Sequence, residues 1–211
     1  MVSGMGALSS SDVLLDGVVR QGWWLVADED DGPSRIVAGP FLDRAEAGWA
    51  AGADGHGGLE GVRPDYGIRR ADGTLNRRPS PQEWAWLAHL SEQLERLPDD
   101  WDAELADDDP LGTLVVEVTA ALAEAGLPLH DTTGAGSAVG GACLTPEPAL
   151  GGVVLTWRQH DRMSIDQAHG VDADALVQQV MNRALADVLV VRGFSVDAFG
   201  GASAHIVRSA A

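Results

Sequence analysis

Lysine is absent from this chain: its 14 basic residues are all arginine. That absence removes two chemistries. A phosphate cradle of the form G-x-x-x-x-G-K-[ST] requires lysine, and so does a Schiff-base nucleophile. Cysteine occurs once, at Cys143, so no intrachain disulfide can form. This argues against a disulfide-built secreted scaffold and suits a reducing compartment. No uninterrupted apolar run approaches the roughly 20 residues needed to cross a bilayer. The opening "MVSGMGALSSSDVLLDGVV" lacks a basic start and carries Asp12 and Asp16 among its apolar residues, unlike a signal peptide. The expectation is a soluble, cytoplasmic protein without membrane attachment. Asn and Ile are scarce while Ala, Gly, Arg and Asp are abundant, the codon bias of a GC-rich, bacterial-type genome.

What is present is acid. Thirty-two Asp and Glu against 14 Arg leave a formal net charge of -18 over 211 residues. The acids are spread rather than gathered in a tail: residues 1–60 hold 10 acids and 3 Arg, residues 61–109 hold 12 and 6, and residues 110–211 hold 10 and 5. Such a surface repels free nucleic acid. It suits a partner protein with a basic or mixed-charge surface, or mimicry of DNA by a folded acidic face.

Turn and capping chemistry divides the chain. A short helix is expected near residues 11–20. Trp23–Ala27 and Arg35–Ala38 flank "DEDDGPS" and predict a β-hairpin. "FLDRAEAGWAAG" follows as a short helix, with Asp43 as cap and Glu46 three residues on. Residues 51–61 form a glycine-rich loop. In "YGIRRADGTLNRR" the Asp72-Gly73 pair predicts a two-residue hairpin turn that sets Arg70 opposite Leu75, Arg69 opposite Asn76 and Ile68 opposite Arg77. Ser80, Pro81 and Glu83 mark a helix start. That helix runs to about Arg96, with Trp84, Leu87, Ser91 and Leu94 on one face and Trp86 and Leu90 beside it.

Seven acids then crowd residues 99–109, an expected boundary. Beyond it Asp109-Pro110 opens an amphipathic helix ended by Gly126, and "TTGAGSAVGG" is a glycine-rich connector. "ACLT" and "GVVLTWRQH" form a second hairpin. Leu176, Val177, Val180, Met181, Ala184, Leu185, Val188 and Leu189 repeat with helical spacing, and "FSVDAF" and "SAHIVR" are two last strands. The expected fold is α+β in two small modules. Residues 1–98 give β-β-α plus an Arg-rich hairpin and helix. Residues 99–109 link them. Residues 110–211 give α-β-β-α-β-β, an antiparallel sheet with helices on one face.

Residues 39–47, "GPFLDRAEA", resemble a fragment of the sporulation-related repeats that bind peptidoglycan. The resemblance implies a role outside the membrane; it spans nine residues of strand-to-helix punctuation, and the opening stretch is not expected to act as an export signal.

No catalytic motif emerges. "GAGSAVG" departs from G-x-G-x-x-G spacing and does not follow a strand. Cys143, on a predicted strand among apolar residues, has the setting of a buried structural thiol. The histidines form no H-x-x-x-H pair. The His-Asp dipeptides at 130–131 and 160–161 resemble the metal-binding pair of HD phosphohydrolases, whose scaffold is helical. "DEDD" at 28–31 lacks the sixth-position glycine of an EF-hand. No cofactor, metal or catalytic residue is therefore assigned. The residues singled out for partner binding are Arg69, Arg70, Arg77 and Arg78 on the hairpin, with Trp24 and Trp86. Arg158, His160 and Asp161 at a strand end are the candidates for a small anionic ligand.

Three classes of function follow. The leading expectation is a non-enzymatic interaction or regulatory protein that binds another protein, with self-association as a further expectation. The alternatives are an acidic DNA mimic or antagonist of a nucleic-acid-binding protein, and a small-ligand binder or enzyme using the Arg158–His160–Asp161 strand end.

Overall fold

A computed structural model describes residues 14–15, 18–19, 21–29, 32–53, 61–132, 139–166, 168–200 and 204–210. The expected glycine-rich loop at 51–61 and the connector at 132–141 lie mostly outside these residues. The chain divides into two compact units, Met1–Ala85 and Trp86–Ala211. Both are antiparallel α+β, as their patterning predicts. Among the described residues, no helix is long and apolar enough to cross a membrane.

The N-terminal unit begins with a correction. Where a helix is expected near residues 11–20, the described residues are strand: Leu14–Leu15 (β1) pairs antiparallel with Val18–Val19 (β2). The sequence between them is Asp-Gly, and adjacent valines are stiff at χ1 and favour strands. A four-stranded sheet follows, built from β3 (Gln21–Glu29), β4 (Gly32–Phe41), β5 (Val62–Arg69) and β6 (Leu75–Arg77) in the order β4-β3-β5-β6. Helix α1 (Arg44–Ala53) crosses one face. Asp43 Oδ1 accepts the Glu46 N–H at 2.7 Å, and Glu46 Oε2 accepts the Leu42 N–H at 2.9 Å, so the capping chemistry of "LDRAE" sets the helix start. Trp23, Leu25 and Ala47 are the buried centre of this layer, edged by Ala38, Phe41, Ala50, Val62 and Tyr66. Tyr66 meets Trp23 edge-on at 5.5 Å, and the Arg44 guanidinium lies 5.9 Å from the Trp23 ring.

The arginine hairpin forms with a register one residue away from expectation. Ile68 pairs with Asn76 and Arg69 with Leu75. Gly73 N–H donates to Arg70 O at 3.1 Å, and Arg70 N–H to Thr74 O at 2.8 Å. The loop is therefore three residues, Ala71-Asp72-Gly73, with Gly73 at φ 83°. Asp72 decides this: its carboxylate accepts from the Thr74 N–H at 2.9 Å and from the Thr74 hydroxyl at 2.6 Å. That local turn leaves only Gly73 in the left-handed region, the three-residue alternative to a turn with two positive φ angles. The Thr74 hydrogen bonds hold the Asp72 carboxyl below its usual pKa.

Helix α2 (Pro81–Leu94) starts where expected: Ser80 Oγ accepts the Glu83 N–H at 3.2 Å, and Glu83 Oε2 accepts the Ser80 N–H at 2.5 Å. These bonds also lower the Glu83 pKa. The division between the two units falls within this helix.

The C-terminal unit holds α3 (Pro110–Glu124), β7 (Gly141–Glu147), β8 (Gly152–Arg158), a four-residue α4 (Asp161–Ser164), α5 (Val171–Val191), β9 (Ser195–Phe199) and β10 (Ala204–Arg208). Its sheet order is β7-β8-β10-β9. Asp109 caps α3 by accepting the Leu111 N–H at 2.8 Å. The core joins Leu114, Val115, Val118 and Leu122 of α3 to Leu144, Val153, Leu155 and Val207 of the sheet and Leu185 and Leu189 of α5. The acidic 99–109 segment, expected as a linker, contributes Trp101 and Leu105 to the edge of this core. Leu129 forms a parallel bridge to Ala142. Its N–H goes to Gln93 Oε1 at 2.9 Å and its C=O accepts from Arg96 at 3.2 Å, so the buried Gln93 has a structural task. Glycine is required at 141, where a Cβ would run into the backbone of Leu129 and His130.

Two helix faces differ from the expected ones. On α2 the stripe holding Trp84 and Leu87 is exposed. The inward line is Trp86, Leu90, Gln93 and Leu94, continuing to Leu97. On α5 the buried residues are Asn182, Leu185, Ala186 and Leu189, whereas Leu176, Val177 and Val180 face out. The cause is polar. Trp157 lies past His205↔Leu155, the last β10–β8 pair on that side, and α5 side chains serve its backbone instead. Asn182 Oδ1 accepts the Trp157 N–H at 2.7 Å, and Gln178 Nε2 donates to the Trp157 carbonyl. The buried Gln159 donates through Nε2 to Asp174 O at 2.8 Å and to Asp174 Oδ1 at 2.7 Å. Asp174, Gln178 and Asn182, spaced four apart, are thus the inward line of the N-terminal half of α5.

Candidate functional site

The strand-end cluster is occupied locally. His160 caps α4, its Nδ1 accepting the Arg162 N–H at 3.1 Å. Arg158 Nη2 lies 3.7 Å from Asp161 Oδ1 in an i,i+3 pair. The Arg158 and Arg162 side chains are exposed. His160 and Asp161 therefore spend their polar atoms on a helix start and an ion pair. Cys143 sits opposite Thr156 on the neighbouring strand, and burial pushes its thiol pKa up, so it stays protonated and a poor nucleophile. Among the described residues, no group of three or more His, Cys, Asp and Glu is placed to hold a metal ion. The acidic run uses Asp109 as a cap, and Asp102, Asp107 and Asp108 border a cleft with Trp101, Leu105 and Val116.

The arginines separate. Arg69 and Arg77 share one face of the hairpin with Asp65, and Arg77 Nε pairs with Asp65 Oδ2 at 3.0 Å. Arg63 Nε adds a second contact to the same oxygen at 3.4 Å. Arg70 lies on the other face, half-buried, with Nε making no hydrogen bond. Arg69 and Arg78 are exposed. The ribbon is thus partly neutralised within its own sheet by Asp65.

Trp24 is 1% exposed and donates Nε1–H to Gly67 O at 3.1 Å, so its ring offers no free surface. Trp86 is half-buried with its ring 6.0 Å from that of His89. Among the described residues, the exposed aromatic rings are Trp49, 81% exposed, Trp84 and Phe199.

The surface missed by sequence reasoning is the outward side of α5. Val177, Val180 and Val191 are exposed, with Val180 at 63% and Val191 at 85%. Ala184 and Val188 lie between them, partly exposed, with Val188 at the edge of the stripe where it also packs against the core. Beside this stripe an apolar groove of about 420 Å³ runs between α3 and α5, lined by Ala121, Ala125, Val188 and Val191 and ended by Glu124 and Arg192. Arg192 pairs with Glu124 across it. Arg183 Nε contacts both carboxylate oxygens of Asp187 at 3.0 Å along the helix. The patch is apolar at its centre and locally charge-balanced at its rim. Its signal in the sequence is the wide apolar repeat of α5, which exceeds what one sheet can cover.

Compared with protein-family models, with curated proteins and with solved structures, the chain matches none.

Proposed function

We propose that this protein is a non-enzymatic cytoplasmic interaction protein that docks another polypeptide through the outward face of α5 and the adjoining α3/α5 groove. The single observation that carries this reading is the exposed valine stripe, Val177, Val180 and Val191, on a helix whose inward line is already satisfied by polar and apolar contacts. Contiguous exposed apolar surface rimmed by charge is typical of association sites. The rim pairs, Arg183–Asp187 and Arg192–Glu124, suit a partner of mixed charge. The net charge of -18 disfavours direct nucleic-acid binding and keeps the rest of the surface repulsive to acidic neighbours.

A photo-reactive amino acid placed at position 180 in the native cell tests this. The expected result is a covalent adduct with a polypeptide that a probe at the exposed Gln82 of α2 does not give. Absence of any polypeptide adduct at 180, or identical adducts at both positions, defeats the reading.

A further inference from the structure

We infer that the polypeptide covering the α5 face is a second copy of this chain, packed antiparallel about a two-fold axis at Ala184; this rests on the docking reading above. The seam Val177, Val180, Ala184, Val188 and Val191 has successive spacings of 3, 4, 4 and 3 residues. It reads the same in both directions, in spacing and in residue type. An isologous interface demands such self-complementarity, because residue i must meet residue j while j meets i. With the axis at Ala184, Val177 meets Val191 of the second copy, Val180 meets Val188, and Ala184 meets itself. Steps of three and four residues keep side chains on one helix face, the spacing of helices that pack along a shared seam. The small Ala184 at the centre lets the backbones approach.

The flanking charges fit the same register. Arg183 and Asp187 lie one turn apart on one side of the seam and already face each other at 3.0 Å. In an antiparallel pair, like flanks face one another. Arg183 of each copy then lies two positions in register from Asp187 of the other, giving two reciprocal ion pairs that flank one Arg183–Arg183 approach at the axis and outnumber it. In a chain of net charge -18, two copies repel each other unless the approaching faces are locally neutral. This face is neutral pair by pair, since Arg192 and Glu124 balance at its end. The seam from 177 to 191 is about 21 Å long, smaller than a standard interface, so the pair forms reversibly with concentration.

Sedimentation equilibrium of the full chain over a dilution series tests this. The mass is expected to rise from 22.1 kDa toward twice that value. Val180→Asp is expected to abolish the rise while leaving far-UV circular dichroism and the melting curve of the dilute protein unchanged. Arg183→Asp and Asp187→Arg each set like charges across the axis, so each alone weakens self-association by about tenfold or more. Mixed in equal amounts, they restore pairing, because every cross-axis contact is then of opposite sign. A chain that stays monomeric at all concentrations, a dimer that survives Val180→Asp, or a charge-swapped mixture that does not recover overturns the inference. If the probe at position 180 captures a polypeptide of different mass while the pure chain stays monomeric, the docking reading stands and only the second copy is rejected.

Discussion

The orientation of α5 can be tested by comparing substitutions at two positions two residues apart, Val180 and Asn182. Apolar periodicity alone turns Val180 toward the sheet and leaves Asn182 in water. The structure does the opposite: Val180 is 63% exposed and Asn182 is 1% exposed. Val180→Ala removes a side chain that keeps most of its contact with solvent, so it costs no more than about 0.5 kcal/mol. Asn182→Ala removes the acceptor that the Trp157 N–H reaches at 2.7 Å. It leaves that donor without its partner and opens a void beside the strand end, at a cost of about 1–3 kcal/mol. Asn182→Leu fills the void and still leaves the donor unpaired, so it recovers only part of the loss. Urea unfolding followed by tryptophan fluorescence, at protein concentrations too low for copies to associate, measures all three. Trp86, Trp101 and Trp157 report on this unit. The reasoning fails if Val180→Ala costs as much as or more than Asn182→Ala, because α5 would then present its valines to the core.

Gly73→Ala places a Cβ in open space at φ 83°, so backbone strain alone is added; the expected loss is about 1 kcal/mol, read in the same urea assay. His205 has its pKa lowered below 6.5, chiefly by burial and then by Arg183. The unfolded chain therefore binds this proton more readily, and stability falls as pH drops from 6.5 toward the lowered folded value. His205→Leu should flatten that limb relative to the parent in pH-dependent melting curves, and an unchanged difference between the two across that window refutes the assignment. Cys143, with its thiol pKa raised by burial, should alkylate with iodoacetamide at pH 7.5 many-fold more slowly in the native protein than in urea; equal rates would contradict its placement.

Much of the molecule was legible before folding because its signals are local. The caps at Asp43, Ser80 and Asp109 depend on side chains reaching backbone groups two to four residues away, and each formed as its spacing implied. Trp23 and Trp24 point to opposite faces because alternation along a strand is a property of the backbone. The hairpin at 70–74 was legible as a turn and misread in register by one residue, since the competition between a two- and a three-residue loop is decided by the Asp72–Thr74 hydrogen bonds.

What local chemistry does not carry is the choice of which side faces in. On α1 the inward residues are Ala47 and Ala50, too small to dominate a periodicity that contains Trp49. On α5 the line Asp174, Gln178 and Asn182 reads as a solvent face until Gln159 and the backbone of Trp157 come across from the end of β8 to meet it. The sequence by itself determined the α+β class, the helix starts and the acidic balance, because those follow from charges and from bonds within a few residues. Only the tertiary structure decided that α5 turns polar groups inward and valines outward, because a strand end stripped of its neighbour needed hydrogen bonds more than the sheet needed another apolar row.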